Sequence, residues 1–131
     1  MDTYIRFQTH LRCGNTGRPA GIFLAAGRIE DRTTLPTETR ERLQDIVDWF
    51  NRNLTAPSLA DSDWRCLFWF RSSSQPLISR LWELAHLLEE ENIFVTKVRT
   101  RQPGMIVYRD EHQVAAVPSR NQKQIAHALR V

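Results

Sequence analysis

Cysteine is scarce in this chain, and the two present, Cys13 and Cys66, stand far apart and form no CxxC pair. Nothing in that arrangement requires a disulfide framework, an oxidising compartment or a structural zinc site, and both are expected as thiols. Long apolar runs are missing too. None approaches the roughly 20 residues that a membrane-crossing helix needs, so no membrane partner is expected. The first residues, Met1-Asp2-Thr3-Tyr4-Ile5-Arg6, lack the basic-then-apolar layout of an export leader, which makes the cytosol the expected compartment. There is no GxGxxG, GxxxxGK, HExxH, nucleophile elbow or calcium-binding loop, no internal repeat and no low-complexity segment. No cofactor is expected. Lysine is rare: sixteen of the eighteen cations are arginine, whose planar fork suits carboxylates and phosphates.

What is present is ordinary globular material. At 131 residues, with 41% hydrophobic and 25% charged residues, the chain is long enough for one domain with a buried core. Its net charge of +3 is modest, but the distribution is uneven. Residues 1–29 set four arginines against Asp2, residues 30–96 set twelve acids against seven arginines, and residues 97–131 set seven cations against Asp110 and Glu111. Basic ends and an acidic middle are expected mainly to neutralise one another in the fold.

Tyr4 to Arg12 alternates, with Ile5, Phe7, Thr9 and Leu11 on one side and Arg6, Gln8, His10 and Arg12 on the other, the pattern of a strand with one wet face. Gly14 to Gly17 reads as a turn. Ala20 to Glu30 reads as a short helix weakened by Gly27, although Ile22-Phe23-Leu24 could equally open a buried strand. Leu43, Ile46, Val47, Phe50 and Leu54 set a helix from Thr37 to Leu54, led by Pro36. A loop follows to Asp63. Cys66 to Phe70 is a continuously apolar strand, and Leu77, Leu81, Leu84 and Leu88 mark a second clear helix from Gln75 to Glu91, stopped by Asn92. Ile93–Thr100, Met105–Tyr108 and Gln113–Val117 read as strands, with Pro103-Gly104 as a turn. The expected fold is α/β (α+β): a single domain over residues 1–118, a mixed sheet of about five strands packed on two to three helices, and one strand–helix–strand crossover between parallel strands from Cys66 to Thr100. Residues 119–131 read as a polar, basic tail with a helical hint at Ile125, Ala126 and Leu129.

Two constellations suggest anion chemistry. Ligands in such crossovers gather beyond the carboxyl ends of the strands. There Arg71, Ser72, Ser73 and Ser74 would meet Arg99 and Arg101 at a helix N-terminus. The simpler expectation is that Ser74 caps the helix and the arginines are solvated. Arg6, His10 and Arg12 of the first strand, with Lys97 of another, would form a basic sheet face if the two strands align, with Tyr4 available to stack on a base. Glu83 and His86 have the spacing of a carboxylate-metal helix, but its other half is missing, so no metal is expected. Asp110 and His112 lie in a short turn, where aspartate ordinarily satisfies the backbone; neither they nor His10 with Cys13 make a catalytic site. The expectation is therefore a small, non-enzymatic binding or interaction protein, with a protein partner or a second copy in a homodimer. The four tryptophans fit that expectation. The alternative is nucleic-acid or phosphate-ligand binding through the arginine–serine site, and a small enzyme with an unfamiliar site ranks third.

Overall fold

A computed structural model describes residues 2–12, 14, 18–55, 66–118 and 125–128. Cys13, most of the turn expected at 14–17, the loop at 56–63, Trp64 and the rest of the tail lie outside the described residues. The elements run β1 (Tyr4–Arg12), β2 (Pro19–Gly21), α1 (Ile22–Glu30), α2 (Thr37–Asn53), β3 (Leu67–Arg71), α3 (Gln75–Glu90), β4 (Val95–Thr100), β5 (Met105–Arg109), β6 (Gln113–Val117) and β7 (Ile125–Ala128). The α+β class, the single sheet and the two long helices are as the sequence pattern implies. The alternatives left open at residues 20–30 resolve as a three-residue strand followed by a helix.

The sheet has seven strands in the order β5-β6-β3-β1-β4-β7, with β2 also on β1, and every neighbouring pair is antiparallel. This corrects the mixed sheet expected from the crossover. β3 and β4 do run in the same direction, but β1 lies between them and pairs with both. A crossover helix needs parallel strands, not adjacent ones, so an earlier strand can occupy the gap. The tail also differs from its expected helical turn: Ile125–Ala128 pairs with β4 from Thr96 to Arg99. The open hydrogen-bonding edge of β4 is a stronger determinant than four residues of weak local preference.

α1, α2 and α3 cover one face of the sheet. Their stripes supply Ile22, Ala26, Ile29, Leu43, Ile46, Phe50, Leu81, Leu84 and Leu88, which bury with Ile5, Phe7, Phe70 and Val95 of the strands. Asn92 takes the left-handed conformation (φ 65°) that ends α3, and Ile93 N–H closes the turn on Leu88 O at 2.9 Å. The acids crowding that helix end are engaged. Arg42 pairs with Glu90 at 2.9 Å, Arg32 lies 3.8 Å from Glu91, and Glu89 accepts Val95 N–H. The opposite sheet face carries a smaller apolar cluster of Tyr4, Trp69, Val98, Val114 and Ala116.

Candidate functional site

β1 offers one edge to two partners in turn: β3 pairs at Tyr4 and Ile5, and β2 pairs from Gln8 to Arg12. Arg6 stands where they part. Instead of pointing to solvent it is buried, and it donates to Phe68 O at 3.3 Å. Its guanidinium lies close enough to Gly21 that a Cβ there would meet Nη2 at 3.2 Å. The alternation of β1 therefore gives two covered faces over its first half, and only Gln8, His10 and Arg12 reach water on the face expected to be wet.

Beside this parting lies a pocket of about 560 Å³, between α1, the second half of α2 and the ends of β3 and β6. Phenylalanines 7, 23, 50, 68 and 70 and Ile22, Leu24, Val47 and Leu54 line it, with Arg6, Asn51, Thr55, Glu30 and Gln113 as the polar members. The ring of Phe23 sits edge-on to Phe50 (4.9 Å) and Phe70 (6.0 Å), yet Phe23 is 37% exposed and Leu24 beside it 45%. Gly27 completes the α1 side, and a Cβ placed there would meet nothing within 4 Å.

The anion site expected from the strand ends is arranged differently. Arg71 and Thr100 both flank Tyr4, so the ends of β3 and β4 do meet at one end of the sheet, with β1 between them. Arg71, however, is committed: Nη1 donates to Asp2 at 2.7 Å, Nε to Asp110 O at 3.1 Å, and its carbon lies 5.9 Å from the centre of the Tyr4 ring. Arg99 is opposite Ile5 and so belongs to the helix-covered face, away from Arg71. Arg101 and Ser73 are exposed, and Ser72 is tied to the helix start through Gln75 Nε2 on its carbonyl. The six residues do not gather around one ligand. The basic face fails on register as well. Lys97 is opposite Phe7, not Arg6, and stacks over Trp82 at 5.5 Å, so Arg6, His10 and Arg12 share no face with it. A one-residue difference in register transfers a side chain to the other face, and a strand's own sequence does not specify that offset.

Ser74 occupies the N-cap of α3 but makes no side-chain cap; its Oγ is 3.1 Å from His112 Nδ1. His112 Nε2 lies 3.0 Å from Glu111, completing a hydroxyl–imidazole–carboxylate string that sequence reading missed because Ser74 and His112 are 38 residues apart. Glu111 is 83% exposed, and neither Ser74 nor His112 lines the pocket, so the string stands apart from it. Its effect is to fasten the start of α3 to the β5–β6 turn. That turn is organised by Asp110, as an aspartate there would suggest: Oδ1 accepts the N–H groups of His112 and Gln113, and Oδ2 accepts Tyr108 and the Gln113 side chain. Burial pushes the Asp110 carboxyl up, but these four donors outweigh it and hold it below its ordinary value; the same bond raises Tyr108. A depressed carboxyl adds stability above its unfolded pKa of roughly 4, and that stability is lost as pH falls through the folded value. Asp110→Asn should cost about 1–3 kcal/mol at neutral pH. The gap to the unsubstituted protein should narrow below pH ~4, read from urea melts across pH. A gap independent of pH would contradict this reading.

Among the described residues no three His, Cys, Asp or Glu side chains group as metal ligands, and Glu83 pairs with Arg80 at 3.1 Å. No helix among them is long and apolar enough to cross a membrane. No protein family, curated protein or solved structure matches the chain.

Proposed function

We propose that this protein is a binding protein whose ligand is a small, largely apolar molecule held in the pocket between α1, α2 and the sheet. The carrying observation is the pocket itself, phenylalanine-lined and open, beside a core in which Leu81, Leu84 and Leu88 are fully buried. Its volume falls within the range of about 300–1,000 Å³ occupied by ligand sites, and a few polar groups among apolar walls are what such sites use for orientation. Gly27 adds support. A glycine within a helix costs about 1 kcal/mol relative to alanine, and here no neighbour demands it. What its missing side chain provides is space on the pocket's α1 wall.

Two substitutions at one position test this. Gly27→Ala should raise stability by about 0.5–1 kcal/mol, because the helix gains and nothing is displaced. Gly27→Phe should keep the fold and occlude the pocket. Titrated with the neutral probe N-phenyl-1-naphthylamine, the unsubstituted protein should show saturable one-to-one fluorescence enhancement, and the Phe variant should bind at least about tenfold more weakly. The absence of saturable binding to the folded protein would refute the proposal.

A second reading, a protein partner or second copy, finds support in edge strand β5, where Met105 is 64% and Val107 45% exposed. A register shift between Ile106 and Tyr108 interrupts that edge, and such bulges disfavour strand addition. Sedimentation at rising concentration would expose self-association through β5.

A further inference from the structure

Gln113 is only 2% exposed, yet it lines the pocket. Its amide orientation is fixed by chemistry. Nε2 lies 2.6 Å from Thr55 O and 3.1 Å from Asp110 Oδ2, and a backbone carbonyl and a carboxylate can only accept, so both amide hydrogens are committed. Flipping the amide would set oxygen against two oxygens. The remaining group, Oε1, makes no hydrogen bond among the described residues. The main chain of Gln113 is equally committed, its N–H to Asp110 Oδ1 and its carbonyl to Asp110 N–H. Rotating the side chain away would break both amide bonds.

We infer that Oε1 of the buried Gln113 is an acceptor this pocket presents, and that the ligand is an apolar ring or chain carrying a hydroxyl or N–H that donates to it. This rests on the binding role proposed above and narrows it to a ligand class. The selection comes from an asymmetry. An occupant without a donor strips water from Oε1 and leaves a buried acceptor unpaired, whereas a donor-bearing occupant replaces the lost water. Polar groups placed this way reject the analogue lacking the matching group more strongly than an apolar wall rejects a change of shape. The position is also rigid. Gln113 lies opposite Phe70 in the β3–β6 ladder, and its amide is tied both to the Asp110 turn and to the chain just after α2.

The test is equilibrium dialysis of the protein against two nearly isosteric neutral probes, 2-naphthol and 2-methylnaphthalene, at a pH where the naphthol is un-ionised. The hydroxyl probe should bind about tenfold more tightly than its methyl counterpart, the scale of one well-placed hydrogen bond. In Gln113→Met, which keeps length and loses the acceptor, the preference should vanish while 2-methylnaphthalene binds as well or better. Equal binding of the two probes to the unsubstituted protein would overturn the inference and leave the apolar pocket standing. If neither probe binds, the pocket's binding role fails with it. Because the probe pair is compared on the unsubstituted protein, the outcome does not depend on the variant folding.

Discussion

Leu84→Ala should remove about 2–5 kcal/mol of unfolding free energy. Leu84 is fully buried on α3, in the row with Leu77, Leu81 and Leu88 that packs into the main core. Truncation deletes the apolar surface it removes from water and leaves a void, because α3 is held from several directions and cannot collapse onto the gap. It packs against α1, α2 and β4, and its N-terminus is tied to the β5–β6 turn through Ser74 and His112. The neighbouring Glu83 is exposed and, among the described residues, pairs with Arg80 alone, so Glu83→Ala should change stability by no more than about 0.5 kcal/mol. Urea melts of the two variants give the comparison. Similar losses at both positions would mean that the apolar stripe of α3 does not face the core as described.

That pair of positions shows which part of the fold was legible in the sequence. The 3.6-residue spacing assigns both α2 and α3 and their buried stripes, since an amphipathic helix records its orientation in its own residues. Asn92 as a left-handed stop is local in the same sense, as is the aspartate-centred turn at 110–113. Strand partners are not local. Nothing within Tyr4–Arg12 indicates that β1 would sit between β3 and β4, or that Lys97 would fall opposite Phe7. The burial of Arg6 follows from that hidden arrangement: β2, three residues long, and β3 share one edge of β1, and the guanidinium fills the place where they part. β7 was illegible for the same reason, its conformation being set by the edge it joins.

The pocket was less legible still. Its walls come from β1, the β2–α1 junction, α2, β3 and β6, and of its polar members only Asn51 and Thr55 lie close in sequence. Gly27 was visible only as a weakness in a helix, and Gln113 carries no local signal. By contrast, Arg71, Ser72, Ser73 and Ser74 formed a conspicuous run, yet Arg71 is engaged by Asp2 and the Asp110 carbonyl, and Ser74 by His112. A cluster of anion-binding residue types is a statement about composition; whether the groups face a ligand or one another depends on contacts made across the sheet.

Gly104→Ala should be about as damaging as the core truncation, with a loss of roughly 2–4 kcal/mol, although it adds a single methyl group at the surface end of an edge strand. Gly104 has φ 116°, a region that L side chains rarely adopt. Space compounds the strain. A Cβ there would overlap the carbonyl oxygen of Val117 and approach its carbonyl carbon to 2.8 Å and Pro118 Cα to 3.0 Å. These are backbone atoms at the end of β6 and just after it, so no side-chain rotation relieves the contact; the chain itself must shift. The first pair of the β5–β6 ladder, Met105 with Val117, would be lost first, and Ile106, which packs on the Trp69 and Val114 cluster, would follow. The main core under α1, α2 and α3 lies on the other sheet face and should survive. Amide exchange from Met105 to Arg109 should therefore accelerate far more than exchange in α3, alongside the lowered urea midpoint. The opposite sign at Gly27, where alanine should stabilise, makes the two glycines mutual controls. A loss at Gly104 below about 0.5 kcal/mol would mean that the turn into β5 relaxes freely and that its register with β6 is not held from this end.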